Sequence, residues 1–205
     1  MKIKKLLLLL NLMLLVNCSA SYKQLTHMEE KQPSNFQEYL LIEYKTKAIF
    51  EAEKMHDWNS AKFYSDKALK SLETDKIYPE KTSYWIIPND KLKEIKIAHE
   101  NLLSIYNKAK ISDPYNLAKA ISSLDCWSEQ QEEIWQTWDI NKCKNDFLNS
   151  MHNIYEKVSY NKLKDGEKSK KSDEVTVVTK NKNDNLLQII YFDFDNFTLS
   201  SVSKN

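Results

Sequence analysis

Glycine is the residue that most constrains this chain, because the sequence contains only one, Gly166. Tight turns with positive φ, and close approaches of the backbone to a phosphate or a neighbouring strand, depend on glycine. A glycine-rich phosphate loop, a dinucleotide-binding fingerprint and a turn-dense β-sandwich are therefore excluded. The chain has 205 residues, of which 41% are hydrophobic, so it is long and apolar enough for one folded domain.

The basic side chains are all lysine, and the sequence contains no arginine. Recognition of a carboxylate or phosphate by the two-pronged arginine side chain is thus excluded. The formal net charge is only +1, which gives no support for a nucleic-acid partner, and we expect none.

The first residues have the pattern of an export signal. Lys2, Lys4 and Lys5 precede an apolar run over residues 6–16, which only Asn11 interrupts. As a helix this run would rise roughly 16 Å, well short of the ~30 Å hydrocarbon core of a membrane. A basic segment before a short apolar one is typical of a secretory signal peptide, which we assign to residues 1–17.

The apolar run leads into residues 15–18, Leu-Val-Asn-Cys, which resemble the lipobox of bacterial lipoproteins. The resemblance implies cleavage before Cys18 and diacylation of Cys18. Ser19 then implies sorting to the outer membrane, with the protein on the periplasmic face. The alternative is ordinary signal-peptidase cleavage after Ala20, which would remove Cys18. Residues 18–34 are polar and predict a tether.

Residues 35–160 have the apolar period of helices. Over residues 41–55 and 61–72, apolar side chains recur at steps of three and four. The polar break between them predicts a short turn, with Asp57 or Asn59 as the N-cap of the second helix. We therefore expect an antiparallel hairpin similar to those of tetratricopeptide repeats.

Proline residues divide the rest of the helical region. Pro79 and Pro88 exclude a single helix over residues 75–90. The apolar spacing then predicts helices over residues 90–110, 114–134 and 138–160, and Asp113 before Pro114 is a typical N-cap. The expected fold is a mainly α antiparallel bundle.

Two cysteines remain besides Cys18, namely Cys126 and Cys143. Export would place them in an oxidising compartment, where an isolated pair most simply forms a disulfide. Closing such a loop is worth about 3 kcal/mol in the chain-entropy model, and the bond would join the fourth and fifth helices. The alternative is a metal site, but the ligand spacing that it needs is missing.

No residues are predicted to be catalytic, and no metal or cofactor is expected. The acidic run of Glu129, Glu132 and Glu133 is compatible with paired catalytic carboxylates, but a solvated helix face is the simpler interpretation. The aromatic side chains are expected to pack the helices, with a peptide-binding groove as the alternative. The histidines are scattered along the chain and are expected to be surface or packing residues: His27, His56, His99 and His152.

The C-terminal part differs in composition. Residues 161–185 are rich in Lys, Asp, Asn and Ser and predict a flexible linker, and residues 186–194 predict a buried strand. Residues 192–200, Phe-Asp-Phe-Asp-Asn-Phe-Thr-Leu-Ser, resemble the opening strand and turn of the OmpA-like peptidoglycan-binding domain. Residues 124–133 resemble a segment that precedes this domain in envelope lipoproteins of alphaproteobacteria.

The resemblance implies a non-enzymatic lipoprotein of the outer membrane, whose complete relatives tether that membrane to peptidoglycan. Residues 186–205 would be the first strand of an incomplete α/β domain. The peptidoglycan ligands of the family, an Asp and an Arg, would lie beyond Asn205, so no residue here takes their role. Asp193 and Asp195 match the opening turn, which shapes the domain and does not bind the wall.

Two other interpretations are open. Asp193-x-Asp195 after a hydrophobic strand is similar to the catalytic motif of haloacid-dehalogenase phosphatases, but Asn196 replaces the usual glycine and the further partners of that motif are missing. The helical region is alternatively a periplasmic protein-interaction module with a vestigial strand. In that case a protein partner is expected.

Overall fold

The computed structural model describes residues 20–29, 31–134 and 136–169, and these residues fold as a bundle of helices. The predicted mainly α class is confirmed, and the described residues contain no β-strand. The signal peptide, Cys18 and the predicted strand at 186–194 lie outside the described residues. The helices are α1 Ala20–Thr26, α2 Phe36–Phe50, α3 Trp58–Glu73, α4 Asn89–Ser112, α5 Pro114–Glu133 and α6 Thr137–Ser169.

Helices α2 and α3 form the predicted antiparallel hairpin. A π-helical turn, Glu51–Met55, extends α2, and His56 ends it in the left-handed conformation with φ 58°. The Asp57 side chain then accepts hydrogen bonds from backbone N–H groups at the start of α3, which confirms it as the N-cap. Near the other end of the hairpin, Ser71 Oγ donates to the carbonyl of Gln37. The two helices therefore run in opposite directions.

The connection to α4 and the start of α5 also follow local rules. Residues 75–88 contain only a 3₁₀ turn, Thr82–Tyr84, as expected from the two prolines. The Asp113 side chain accepts a hydrogen bond from the N–H of Asn116, and Pro114 occupies the first turn, so the predicted N-cap is confirmed. Helix α5 ends at Ile134, which is left-handed with φ 70°.

Helix α5 lies at the centre of the bundle, where it packs against α2 and α4. Cys126 of α5 and Cys143 of α6 form the predicted disulfide, with their Cα atoms 5.7 Å apart. Beside this bond the ring of Trp127 packs against Phe147 at 6.0 Å between centroids. The inward face of α6 carries the buried side chains of Cys143, Phe147, Met151 and Ile154.

Part of the predicted tether, residues 18–34, is folded onto the bundle. Helix α1 packs against α3, and its Leu25 is fully buried. The edge of the Tyr22 ring meets Trp58 at 5.6 Å. A short helix needs only one buried side to dock, so few apolar residues suffice. The polar composition of the segment therefore gives little sign of helix α1.

Helix α6 is longer than the predicted boundary at residue 160. Its backbone stays helical through Ser169, so the first part of the predicted linker, 161–185, continues α6. None of the helices in the described part of the chain combines the length and the apolar character that crossing a membrane requires.

Candidate functional site

The central helix α5 buries polar side chains as well as apolar ones. Asp125 is 1% exposed and Glu129 is 4% exposed, and Ser128, Gln130 and Gln131 are buried beside them. All five lie within residues 124–133, the segment singled out by its resemblance to envelope lipoproteins. Buried charges need partners, and the neighbours of these residues therefore define the candidate site.

Asp125 is the centre of the first buried polar group. Its Oδ2 accepts a hydrogen bond of 2.6 Å from the hydroxyl of Tyr44, and its Oδ1 accepts one of 2.7 Å from the backbone N–H of Glu80. Lys67 Nζ lies 3.0 Å from Oδ2. Burial raises the pKa of Asp125, and Lys67 and the hydrogen bonds oppose that rise. The carboxylate is thus held by α2, α3 and the segment before α4.

Lys67 is the cation of this group and is itself buried. Burial lowers the pKa of Lys67, but the carboxylates of Asp125 and Glu80 outweigh burial and raise it above its usual value. The ammonium also donates to Glu80 Oε1 at 2.8 Å and to the carbonyl of Tyr78 at 3.0 Å. With these contacts the three donors of Lys67 are used. We assign the group a structural role.

Glu129 is the centre of the second buried group, and for this residue the expected solvated helix face is wrong. Its carboxyl accepts a short hydrogen bond from the Tyr64 hydroxyl and another from Ser60. Burial, above all, raises the pKa of Glu129 to about 7, and nearby Glu133 adds to the shift. The carboxyl therefore exchanges its proton close to neutral pH.

Glu51 faces the same region from the π-helical turn and is 4% exposed. Burial, followed by the charges of Glu129 and Asp139, raises its pKa to about 8. Among the described residues none donates a hydrogen bond to its carboxyl or forms an ion pair with it. A π-helical turn is rare and often lies at a functional site, and here it carries a buried acid without a partner in the described part of the chain.

The Glu51 side chain lines a pocket of about 460 Å³ at the turn between α2 and α3. We call this pocket the hairpin-end pocket. A neighbouring pocket of about 440 Å³ lies over Glu129 and is walled by Phe63, Tyr84 and Trp85. The two pockets share Asn59 and Glu133. The hairpin-end pocket is lined by Glu51, Met55, His56, Asp57, Trp58, Asn59 and Glu133.

A third pocket, of about 630 Å³, is lined by more basic than acidic side chains, in contrast to the hairpin-end pocket. It lies along residues 76–84, and lysines and tyrosines line much of it, together with His99 and Leu103. Its one acid among the described lining residues, Glu80, is paired with Lys67, and Lys67 is paired with Asp125 as well. These two charges therefore already serve the fold, while Lys70, Lys76 and Lys81 give the rest of the wall its basic character.

The structure keeps most of the other predicted residues apart. His27, His56, His99 and His152 lie on separate elements, and the described part of the chain has no cluster of His, Cys, Asp or Glu suited to a metal ion. Cys126 and Cys143 are brought together, as stated above. Cys18, Asp193 and Asp195 lie outside the described residues.

Sequence reasoning missed Glu51, Lys67 and Asp125. The one signal that pointed towards them was the polar content of residues 124–133 on a helix whose apolar stripe is otherwise regular. Comparison of the chain with protein-family models, with curated proteins and with solved structures gives no match.

Proposed function

We propose that this chain is a lipoprotein of the cell envelope, anchored in the outer membrane through Cys18 and facing the periplasm. The structural observation that supports export, on which the proposal depends, is the disulfide between Cys126 and Cys143. Disulfides persist in oxidising compartments, which an exported protein reaches and a cytosolic one generally does not. The signal-like pattern before Cys18 fits the same compartment.

The proposed role is structural, without enzymatic activity. The resemblance of residues 192–200 to the OmpA-like domain supports a tether between the outer membrane and peptidoglycan. Because no residue of this chain matches the peptidoglycan ligands of the family, we expect residues 18–205 alone not to co-sediment with purified peptidoglycan. Co-sedimentation that a soluble wall fragment competes away would show that another part of the chain binds the wall.

Lipid attachment tests the anchor directly. Cells that express the chain would be grown with labelled palmitate, and the wild type would be compared with Cys18→Ala. Ser34→Ala, at the other end of the predicted tether, is the matched control. We expect label in the wild type and in Ser34→Ala and none in Cys18→Ala. Label that persists without Cys18, or no label at all, would contradict the anchor.

A protein-interaction module is the second candidate, and one surface favours it. Tyr84 is 58% exposed and stacks on Phe63 with 5.9 Å between ring centroids. Ile86, two residues further along the chain, is 82% exposed, and Tyr78 is half-exposed in the same connection. We call Tyr78, Tyr84 and Ile86 the aromatic edge. Tyr78 and Tyr84 line the same pocket, and large apolar side chains that share a surface are typical of protein contacts.

Site-specific crosslinking in cells separates the two roles. A photoreactive residue would replace Ile86 in the aromatic edge or, as a control, Ile111, which is 87% exposed at the end of α4. A defined protein adduct from position 86 and none from position 111 would favour the module. Equal adducts from both positions would contradict a specific surface at the aromatic edge.

A further inference from the structure

We propose that the hairpin-end pocket binds an aliphatic primary amine, whose ammonium group pairs with the carboxylate of Glu51. The pocket lies between the π-helical turn, the start of α3 and the end of α5. Nothing in the proposed envelope role assigns a ligand to it. The inference therefore goes beyond that role and does not depend on it.

The first support is the charge of the pocket wall. Three carboxyl side chains line it, those of Glu51, Asp57 and Glu133, and no lysine is among its described lining residues. Its volume of about 460 Å³ is many times the ~30 Å³ that one water molecule occupies in the liquid. A short aliphatic chain that ends in an ammonium group fits this space.

The second and independent support is the state of Glu51. The side chain is almost fully buried and lines the pocket, yet no described residue gives its carboxyl a hydrogen bond or an ion pair. A buried carboxylate without a partner is strongly disfavoured. Close by, Asp139 Oδ2 is fully buried without a donor among the described residues. An ammonium group brings three donors and one positive charge to this surplus of acceptors.

The charges that act most strongly on Glu51 are acidic, and they belong to Glu129, Asp139, Glu133 and Asp57. Lys47 lies one turn earlier on α2 and Lys54 three residues later in the π-helical turn, and burial lowers the pKa of Lys47. Lys47 interacts with Glu43 and Glu129, and no ion pair joins it to Glu51 among the described residues. His56 also lines the pocket, and Tyr64 of α3 interacts with Glu51. Lys142 of α6 interacts with Asp139 and Lys47.

Trp58 supplies the apolar part of the site. Its indole lines the pocket and is 47% exposed, and Tyr22 holds it by an edge-to-face contact. An aromatic face attracts a cation and packs well against methylene groups. A primary amine on an aliphatic chain uses both properties, whereas a bare metal ion has no methylene groups to pack.

Binding is coupled to a proton. Because the pKa of Glu51 is about 8 without ligand, the carboxyl is mostly protonated at pH 7 and must release that proton to pair with the ammonium group. The amine itself keeps its charge up to about pH 10. The affinity is therefore expected to rise by up to about tenfold between pH 7 and pH 8.5.

The experiment is titration calorimetry on the oxidised chain from Ala20 onward, with N-acetyl-lysine methylamide as the probe. N-acetyl-norleucine methylamide has the same chain without the ammonium group and is the control ligand. Cadaverine serves as a free diamine. Binding of the lysine derivative points to a protein side chain as the natural ligand, and binding of cadaverine alone points to a free amine; both support the site.

The variants test the assigned residues. Glu51→Gln keeps the volume and removes the charge, so it is expected to fold and to weaken binding at least tenfold. Trp58→Leu is expected to weaken binding several-fold. Glu73→Gln is the matched control, because Glu73 lies about 22 Å from Trp58 along α3, and it should leave binding unchanged.

Three results would overturn the proposal. Equal binding of the norleucine derivative would mean that the pocket is merely apolar. Equal binding by Glu51→Gln, with its fold verified by thermal unfolding, would mean that general surface charge attracts the amine. Absence of heat with both amines at pH 8.5 would mean that the pocket takes up no amine even when Glu51 is free to ionise.

Discussion

The hydroxyl of Tyr44 donates a hydrogen bond of 2.6 Å to Asp125, a residue 81 positions further along the chain. Lys67 Nζ lies 3.0 Å from the same carboxylate oxygen. Helices α2, α3 and α5 each contribute one side chain to this contact. One buried carboxylate therefore links all three helices.

The first prediction concerns Lys67. Lys67→Met keeps the apolar stem of the side chain and leaves the carboxylate of Asp125 buried without a cation. We expect the free energy of unfolding to fall by about 3–5 kcal/mol, as for other broken buried pairs. Urea unfolding followed by circular dichroism measures the change.

The matched control for this prediction is Lys62→Met on the same helix. Lys62 pairs with Asp66 at the surface, where both side chains are well exposed. Such a surface pair is worth about 0–1 kcal/mol. If the two lysine variants lost equal stability, the buried pair would not have the importance that we give it.

The second prediction concerns pH. Glu51 and Glu129 have pKa values raised to about 8 and about 7, whereas an unfolded glutamate has a pKa of about 4.3. At a pH between the unfolded and the folded pKa values, the carboxyl groups of Glu51 and Glu129 are ionised in the unfolded chain and protonated in the folded chain. The contribution of both groups to stability is therefore highest at low pH and is lost as the pH rises from about 4.5 to about 8.

The measurement is the melting temperature from pH 5 to pH 8.5, compared with Glu51→Gln. From the low to the high end of this range, the free energy of unfolding of the wild type should fall by on the order of 1–2 kcal/mol relative to that of the variant, after allowance for solvent screening. Using the difference between the two proteins removes the titration of the groups that they share. A constant difference at every pH would show that Glu51 does not titrate in this range.

The third prediction concerns the disulfide. Cys126→Ala combined with Cys143→Ala should lower the free energy of unfolding by about 3 kcal/mol, because the loop in the unfolded chain is no longer closed. Urea unfolding with and without a reducing agent gives the measurement. The reducing agent should destabilise the wild type and leave the double variant unaffected. Equal sensitivity of the two proteins would contradict a disulfide at this position.

The fourth prediction concerns the end of α5. Ile134 is a β-branched residue with φ 70°, a conformation that glycine adopts without steric strain. Ile134→Gly should therefore raise the free energy of unfolding by about 1 kcal/mol. Ile97→Gly, in the middle of α4, is the control and should lower it by about 1 kcal/mol or more. Destabilisation by both changes to the same degree would show that Ile134 is not strained.

The features that could be predicted from the sequence depend on short-range rules. The N-caps at Asp57 and Asp113 follow from a polar side chain just before an apolar helical period. The disulfide follows from an isolated cysteine pair in a chain with the pattern of an export signal. The N-caps depend on adjacent residues, and the disulfide depends on a single pair of cysteines.

The polar interior could not be predicted in this way. The burial of Asp125 and Glu129 leaves no trace in the apolar period of α5, because that period counts only apolar residues. Their partners Tyr44 and Tyr64 lie 81 and 65 positions away. The π-helical turn that buries Glu51 also has no signal in the apolar spacing. The candidate site consists of these contacts, and only the folded chain brings them together.

The disulfide between α5 and α6 also determines how the chain would respond to mechanical tension. A force applied at its two ends would pass from Cys126 to Cys143 through the sulfur atoms, bypassing a segment with a sequence separation of 17. The strained corner at Ile134 lies in that segment and would carry no tension. Full extension of the oxidised chain is thereby limited to a length roughly 50 Å shorter than that of the reduced chain. For the tether that we propose, the oxidation state of this pair would set the maximum reach.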